Sequence, residues 1–338
     1  MPRSLVTGAT GFVGSNLVET LYRLGWKVEC LVRKASRAAA LEQLGATLRL
    51  GDLSDVEKIR QATAEKDFVF HVAGRTRALR PEEFTADNVD GTRRLMQACA
   101  SLANPPTVVL VSSLAAGGPS KPGEPRQESD PDRPISAYGQ SKLAAEKAAA
   151  DLADEAPLSI LRPPFIFGQA DRASLAIFRG VRLTRIHAVP GYRRLPISVV
   201  HVADLCDALV RIAERGTRVE ATRNGTVNTA PGTYHVAAER TLTYGELGKM
   251  AGRAIGCRTL VLPFPKAGFW IAGGVAEVLG KIRRKPAMLN LDKIREAVAS
   301  GWECSDEKLR SELGYEPAAK LEDRFTETAK WYREQGWL

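Results

Sequence analysis

The chain has 338 residues, 44% of them hydrophobic and 26% charged, with 48 Lys and Arg against 39 Asp and Glu for a formal charge of +9. That is enough apolar material for a substantial core, and the length predicts a large domain with a smaller one beside it. The cations are spread along the chain with no basic run interleaved with aromatics, which argues against nucleic acid; Cys30, Cys99, Cys206, Cys257 and Cys304 form no CxxC pair, which argues against a zinc site or disulfide framework; and no apolar run is long enough to span a bilayer.

In chain order, residues 4–7 predict a short apolar strand and 11–24 a helix with Phe12, Leu17, Leu21 and Leu24 on its buried side. The early strand leaves no room for a secretory signal, so a cytoplasmic protein with reduced, mostly buried thiols is expected. Further strands are predicted at 27–32, 47–50, 68–72, 107–112 and 158–161, and helices at 38–44, 56–64, 81–102 and 135–153. Apolar strands alternating with helices imply a doubly wound α/β fold: a parallel sheet, covered on both faces, that holds ligands at the carboxyl ends of its strands. Residues 117–134, rich in Pro, Gly and charge, predict a long loop before the helix that carries Tyr138. Beyond 161 the alternation loosens. The expected division is a sheet domain over 1–164, rejoined by 201–234, and a smaller, mostly helical substrate domain from 165–200 and 235–338.

Gly8, Gly11 and Gly14 stand between the first strand and the first helix, with Thr7, Phe12 and Val13 around them. In a dinucleotide-binding turn the first glycine permits the sharp bend, the second lets backbone approach a pyrophosphate, and the third allows close packing of the helix. The free N–H groups of the helix then face the phosphates. The spacing is GxxGxxG rather than GxGxxG, so the strand–turn–helix context carries the inference. Where an NAD-binding protein places an acid on the ribose, the second strand ends in Arg33 and Lys34. Arginine suits a 2′-phosphate, so NADP(H) is favoured over NAD(H). Arg37, nearby, fits an exposed charge flanking a helix. Asp52 and Leu53 either meet the adenine or cap the next helix. Val72, Ala73 and Gly74 end the fourth strand with small residues that let a cofactor pass. His71 is taken as a positional residue, and no metal is expected.

Tyr138 and Lys142 are four residues apart on a predicted helix and share a face. An ammonium beside a phenol favours the phenolate, lowering a pKa ordinarily near about 10. The tyrosine can then exchange a proton with a substrate oxygen as hydride moves.

The stretches TGATGFVG (7–14), GDLSD (51–55), FHVAG (70–74), NVDGT (88–92), VVLVSS (108–113), YGQSK (138–142), LRPPFIFG (161–168) and HVADL (201–205) together give the chain its family likeness. It resembles the extended short-chain dehydrogenase/reductases of the NAD(P)-dependent epimerase/dehydratase superfamily, nearest their dihydroflavonol-reductase and 3β-hydroxysteroid-dehydrogenase branch. The resemblance implies a Rossmann fold with Tyr138 as acid/base. It implies that Lys142 holds the nicotinamide ribose and lowers the Tyr138 pKa, and that Ser113, rather than the neighbouring Ser112, orients the substrate oxygen. Asn88 matches the family's helix asparagine, with a structural or proton-relay role. Pro163, Phe165 and Ile166 match the segment that lines the nicotinamide, and His201 and Asp204 support the ligand side of the sheet. A homodimer through the helices of Asn88 and Tyr138 is also implied. Ala144, Ala145 and residues 148–150 would allow close helix approach, or would simply pack on the chain's own sheet.

The remaining segments carry less. Residues 75–77 either touch substrate or lie on the surface. Arg179, Arg182, Arg185, Arg193 and Arg194 fit a solvated basic face better than an anion site. Residues 264–282 are apolar and flanked by cations. They form either a lid over an apolar substrate or a helix lying on an anionic membrane. Leu321, Phe325, Ala329 and residues 331–332 fit a core helix. The function expected from all this is NADP(H)-dependent interconversion of a ketone and a secondary alcohol on a small, apolar or lipid-like substrate. One alternative is an NAD-dependent nucleotide-sugar epimerase using the same residues. Another is a noncatalytic NADP-sensing protein, against which the presence of both Tyr138 and Lys142 counts.

Overall fold

A computed structural model describes residues 1–34, 38–192, 194–220, 229–287 and 289–338; Arg37 and Arg193 lie outside the described residues. Strands β1 (Arg3–Thr7), β2 (Lys27–Val32), β3 (Thr47–Leu50), β4 (Phe68–His71), β5 (Thr107–Val111) and β6 (Leu158–Arg162) follow the predicted alternation. Among them run helices α1 (Phe12–Arg23), α2 (Ala39–Gln43), α3 (Val56–Thr63), α4 (Pro81–Phe84), α5 (Gly91–Ala100), the single turn α6 (Leu114–Gly117) and α7 (Ala137–Ala150). The rest comprises β7 (Phe165–Phe167), α8 (Arg172–Thr184), β8 (Ile186–Pro190), β9 (Pro196–Ile197), β10 (Val199–His201), α9 (Val202–Arg215) and β11 (Thr233–His235). It closes with β12 (Leu242–Thr243), α10 (Tyr244–Ala254), β13 (Leu260–Phe264), α11 (Lys266–Ile282), α12 (Leu291–Ala297), α13 (Glu307–Leu313) and α14 (Leu321–Glu334).

Seven strands form one sheet in the order β11-β6-β5-β4-β1-β2-β3, and their pairings are parallel. This is the Rossmann-like, doubly wound sheet. Adjacent residues of β1 show how it is covered. Val6 belongs to a buried cluster with Leu17 and Leu21 of α1 and Leu205 and Leu209 of α9, whereas Leu5 belongs to one with Ile59 of α3 and Leu95 of α5. Strand order reverses between β1 and β4, so a ligand crevice opens beyond the carboxyl ends of those two strands. A third core, with Phe167, Phe178, Leu247, Phe325 and Tyr332, holds the largely helical C-terminal region together.

Two local expectations are corrected. The predicted helix over 81–102 is interrupted by a widened, π-helical turn at Thr85–Asp90. There the buried Asn88 side chain leaves the helix to bond the backbone of Arg75, and such turns collect at functional sites. Leu24 lies one residue past α1 and is 56% exposed rather than buried. The loop expected over 117–134 is present, and it is pinned at its middle, where Arg126 N donates to Glu303 O at 3.0 Å and Ser305 N to Arg126 O at 2.9 Å.

Candidate active site

The glycine turn sits at the strand reversal. Gly8 has φ +70°, and a Cβ placed on it would come within 2.6 Å of Ala73 N and 2.9 Å of the Val72 carbonyl carbon. Only glycine fits there, because β1 and β4 end side by side. Gly14 is likewise packed against Gly8 and Ala9 of the turn. The N-terminus of α1 has no side-chain cap and no acid in its first turn. The N–H groups of Phe12, Val13 and Gly14 therefore face the crevice with the positive end of the helix dipole behind them. That cradle fits a dinucleotide pyrophosphate.

The walls of the cradle are braced. Thr7 Oγ1 lies 2.7 Å from His71 Nδ1 and accepts from Ala73 N at 3.2 Å, while His71 Nε2 lies 3.0 Å from Thr92 Oγ1. Burial pushes the His71 pKa down to about 3, with the Lys142 charge adding to the shift, so the ring is neutral and acts as a strut. Arg33 and Lys34 are exposed at the carboxyl end of β2. Asp52 accepts from Ser54 N at 2.9 Å, whereas the cap of α3 is Asp55. Leu53 packs beside Gly91, and Gly74 stands near Asn88 and Lys142. Pro163 is buried and its carbonyl accepts from Leu114 N at 2.9 Å; Phe165 and Ile166 are half-buried on β7.

Ser113, Tyr138 and Lys142 converge beyond β5. Ser113 caps α6, its hydroxyl accepting from Ala115 N, and stands close enough to Tyr138 to favour the phenolate. Ser112 is buried, and its hydroxyl has no partner among the described residues. Lys142 is 5% exposed, and its Nζ donates to Val111 O at 2.8 Å. Burial depresses its pKa to about 8, against the pull of Glu146 one turn further along. Asn88 Nδ2 donates to Ser141 Oγ at 2.9 Å, tying the π-helical turn to α7.

One expectation is reversed here. The Tyr138 pKa is raised, not lowered: burial outweighs both a nearby ammonium and the Ser113 hydroxyl. That ammonium belongs to Lys293, whose Nζ lies 4.5 Å from the centre of the Tyr138 ring. Helix α12 thus reaches the site from the far end of the chain. The Asp292 carboxylate accepts from Ala137 N at 2.8 Å and Tyr138 N at 3.2 Å, and Glu296 Oε1 accepts from Ser136 Oγ at 2.6 Å. The carboxylate completes the N-terminus of α7, where the helix dipole favours negative charge. No local pattern marks Asp292, Lys293 or Glu296, which stand 154 or more positions from their partners.

Other candidates fall outside the site. Arg75 is held by Asp87 at 2.6 Å and Glu83 at 3.0 Å. His201 caps α9, and Asp204 pairs with Arg324 at 2.6 Å, locking α14 to α9. Ala145 and Ala148–Ala150 are buried within this chain. A cavity of about 210 Å³ runs between Leu79, Phe84 and Ala137 on one side and Glu277, Leu291 and Asp292 on the other. A larger one, about 370 Å³, lies between Arg182, Arg185, Cys257 and Arg333, away from Tyr138 and its partners.

The profile of the NAD dependent epimerase/dehydratase family matches residues 4–229. The chain is 28% identical to a ceramide reductase of Caulobacter vibrioides over 98% of its own length and 95% of that protein's. It is 35% identical to the 4-hydroxy-2-methyl-3-oxo-4-farnesyl-3,4-dihydroquinoline-1-oxide ketoreductase of Stigmatella aurantiaca, over 63% of this chain and 65% of that one. Among solved structures, that of gox2253 superposes with a TM-score of 0.77 at 26% identity, covering 100% of both chains.

Proposed function

This chain belongs to the NAD dependent epimerase/dehydratase family and is an NAD(P)-dependent enzyme; we propose that it reduces a ketone on an apolar or lipid-like substrate to a secondary alcohol, with NADPH preferred over NADH. The carrying observation is the convergence beyond β5 of Ser113, Tyr138 and the buried Lys142, on a tyrosine whose pKa desolvation raises. A phenol, not a phenolate, is the form that gives a proton to a carbonyl oxygen as its carbon becomes a carbinol. Bound along the crevice, the dinucleotide supplies the hydride. Ser113 orients the substrate oxygen, Tyr138 protonates it and regains its proton from solvent, and Lys142 steadies the nicotinamide ribose. The turn from Thr7 through Gly14 holds the pyrophosphate, and Asn88 keeps α7 in register with the cradle. The substrate class is supported by Leu79, Phe84 and Leu291 around the cavity next to Ala137, and by the names of the two reductase relatives.

The cofactor preference rests on Arg33 and Lys34 and on the lack of an acid beside them. Replacing Arg33 with Asp and Lys34 with Ser is expected to weaken NADPH binding about 10–100-fold, the worth of one or two charge-assisted phosphate contacts, and to strengthen NADH binding. Fluorescence titration of both cofactors checks this. Equal wild-type affinities, unmoved by the substitutions, would overturn the preference and favour an epimerase working on retained NAD.

Lys293 offers a second test. Its ammonium favours the Tyr138 phenolate, so Lys293→Met is expected to raise the Tyr138 pKa further. A proton donor is lost as pH rises through its pKa, and the alkaline limb of kcat/KM therefore moves to higher pH in the variant. A fall in kcat with the limb unmoved would leave Lys293 a merely structural part.

A further inference from the structure

Helix α11 is built inside out for a helix of a lone globular chain. Its inward face is Gly273 and Gly280, packed on Ile294 of α12 and on residues 285–287. Its outward face is Ile271, Val275, Val278, Leu279 and Ile282, positions that recur at helical spacing, with Ile271 69% and Ile282 73% exposed. The strand that feeds it continues the surface: Leu260, Leu262 and Phe264 of β13 are exposed, and Phe264 meets Phe269 of α11 ring to ring at 6.1 Å. A contiguous apolar surface of this kind is rare on a protein that stays alone in water.

The charges around this surface have one sign. Residues 258–289 hold Arg258, Lys266, Lys281, Arg283, Arg284 and Lys285 against the single acid Glu277. Glu277 is already paired with Lys281 at 3.0 Å. Arg283, Arg284 and Lys285 are exposed at the end of α11 and make no ion pair among the described residues. Among those residues no helix is long and apolar enough to cross a membrane. An apolar helical face edged by free cations suits an anionic bilayer lying against it. A second copy of the chain fits less well, because a two-fold contact through α11 would set these cations against themselves.

We propose that β13 and α11 form a docking surface for an anionic lipid bilayer, the apolar face entering the interfacial layer and Arg283, Arg284 and Lys285 meeting lipid head groups. The inference stands apart from the proposed reaction, since binding is measured without turnover. It is tested by co-sedimentation of the full chain with phosphatidylcholine vesicles that contain or lack phosphatidylserine. The chain is expected to pellet with the anionic vesicles, much less with the neutral ones, and less as salt is raised. Changing Arg283, Arg284 and Lys285 together to Gln should weaken binding about a hundred-fold, and changing Ile271, Val275 and Ile282 to Ser should abolish it. Both sets lie on the surface, so their melting temperatures should stay near wild type. Failure of the wild type to pellet with anionic vesicles would overturn the proposal, as would binding that neither set changes. It also falls if sedimentation equilibrium shows a dimer that the serine variant disperses, because the face then belongs to a second copy.

Discussion

Replacing Tyr138 with Phe is expected to lower kcat for ketone reduction by about 10²–10⁴-fold, the usual worth of a positioned proton donor. NADPH binding and melting temperature should stay close to wild type. The structure separates these quantities. The Tyr138 ring packs against Phe84, centroids 6.1 Å apart, and lies beneath Lys293, and phenylalanine keeps both contacts. Only the hydroxyl and its interaction with Ser113 are lost. Ser113→Ala removes a partner and not the proton, so its loss should be smaller. Groups that act as a unit are not additive, so the double variant should fall little below Tyr138→Phe alone. The measurement is steady-state turnover of whichever ketone the wild type reduces, alongside an NADPH titration of each variant. A Tyr138→Phe enzyme within about tenfold of wild type would remove the proposed proton donor.

The parts of this site that were legible in the sequence are those written locally. Gly8 lies one residue beyond β1, and the strand–turn–helix pattern locates the cradle without any tertiary knowledge. Tyr138 and Lys142 share a helix, where spacing alone sets their face. The parallel sheet followed from alternating apolar strands and helices. Where spacing and residue type sufficed, the inference carried through to the fold.

What was not legible depends on burial and on distant segments. The effect of Lys142 on Tyr138 was inferred from charge alone, but desolvation is the larger influence on this phenol and has the opposite sign. Asp292 and Lys293 act on α7 only because α12 is folded over it, and nothing in LDKIREA marks it as a cap for a helix begun at Ala137. The π-helical turn hides in a stretch whose apolar periodicity fits one continuous helix. In 266–282 apolar residues occur nearly all round, so periodicity could not say which face the fold would leave in water.

Replacing Arg162 with Met is expected to cost about 3–5 kcal/mol of folding stability, by leaving a buried carboxylate without its countercharge. Arg162 ends β6 only 2% exposed, and Glu146, on α7, is 1% exposed. The guanidinium donates to both Glu146 oxygens, at 2.9 and 2.5 Å, and to both Asp132 oxygens, at 2.7 and 3.0 Å. Burial disfavours the Arg162 charge, but Glu146 and Asp132 outweigh it and raise its pKa. Without Arg162, only the Lys142 ammonium remains to offset the buried Glu146 charge. The melting temperature should drop by about 5–10 °C. Changing Glu146 to Met as well should recover much of the loss, since an apolar pair buries no charge. The same cluster bears on the site, because Glu146 is the group that holds the Lys142 pKa up against burial. Glu146→Gln should then lower the Lys142 pKa below about 8 and weaken cofactor binding from that pH upward. Thermal melts of Arg162→Met and of the double variant decide the matter: a double variant no more stable than Arg162→Met would mean that Glu146 is not the stranded charge.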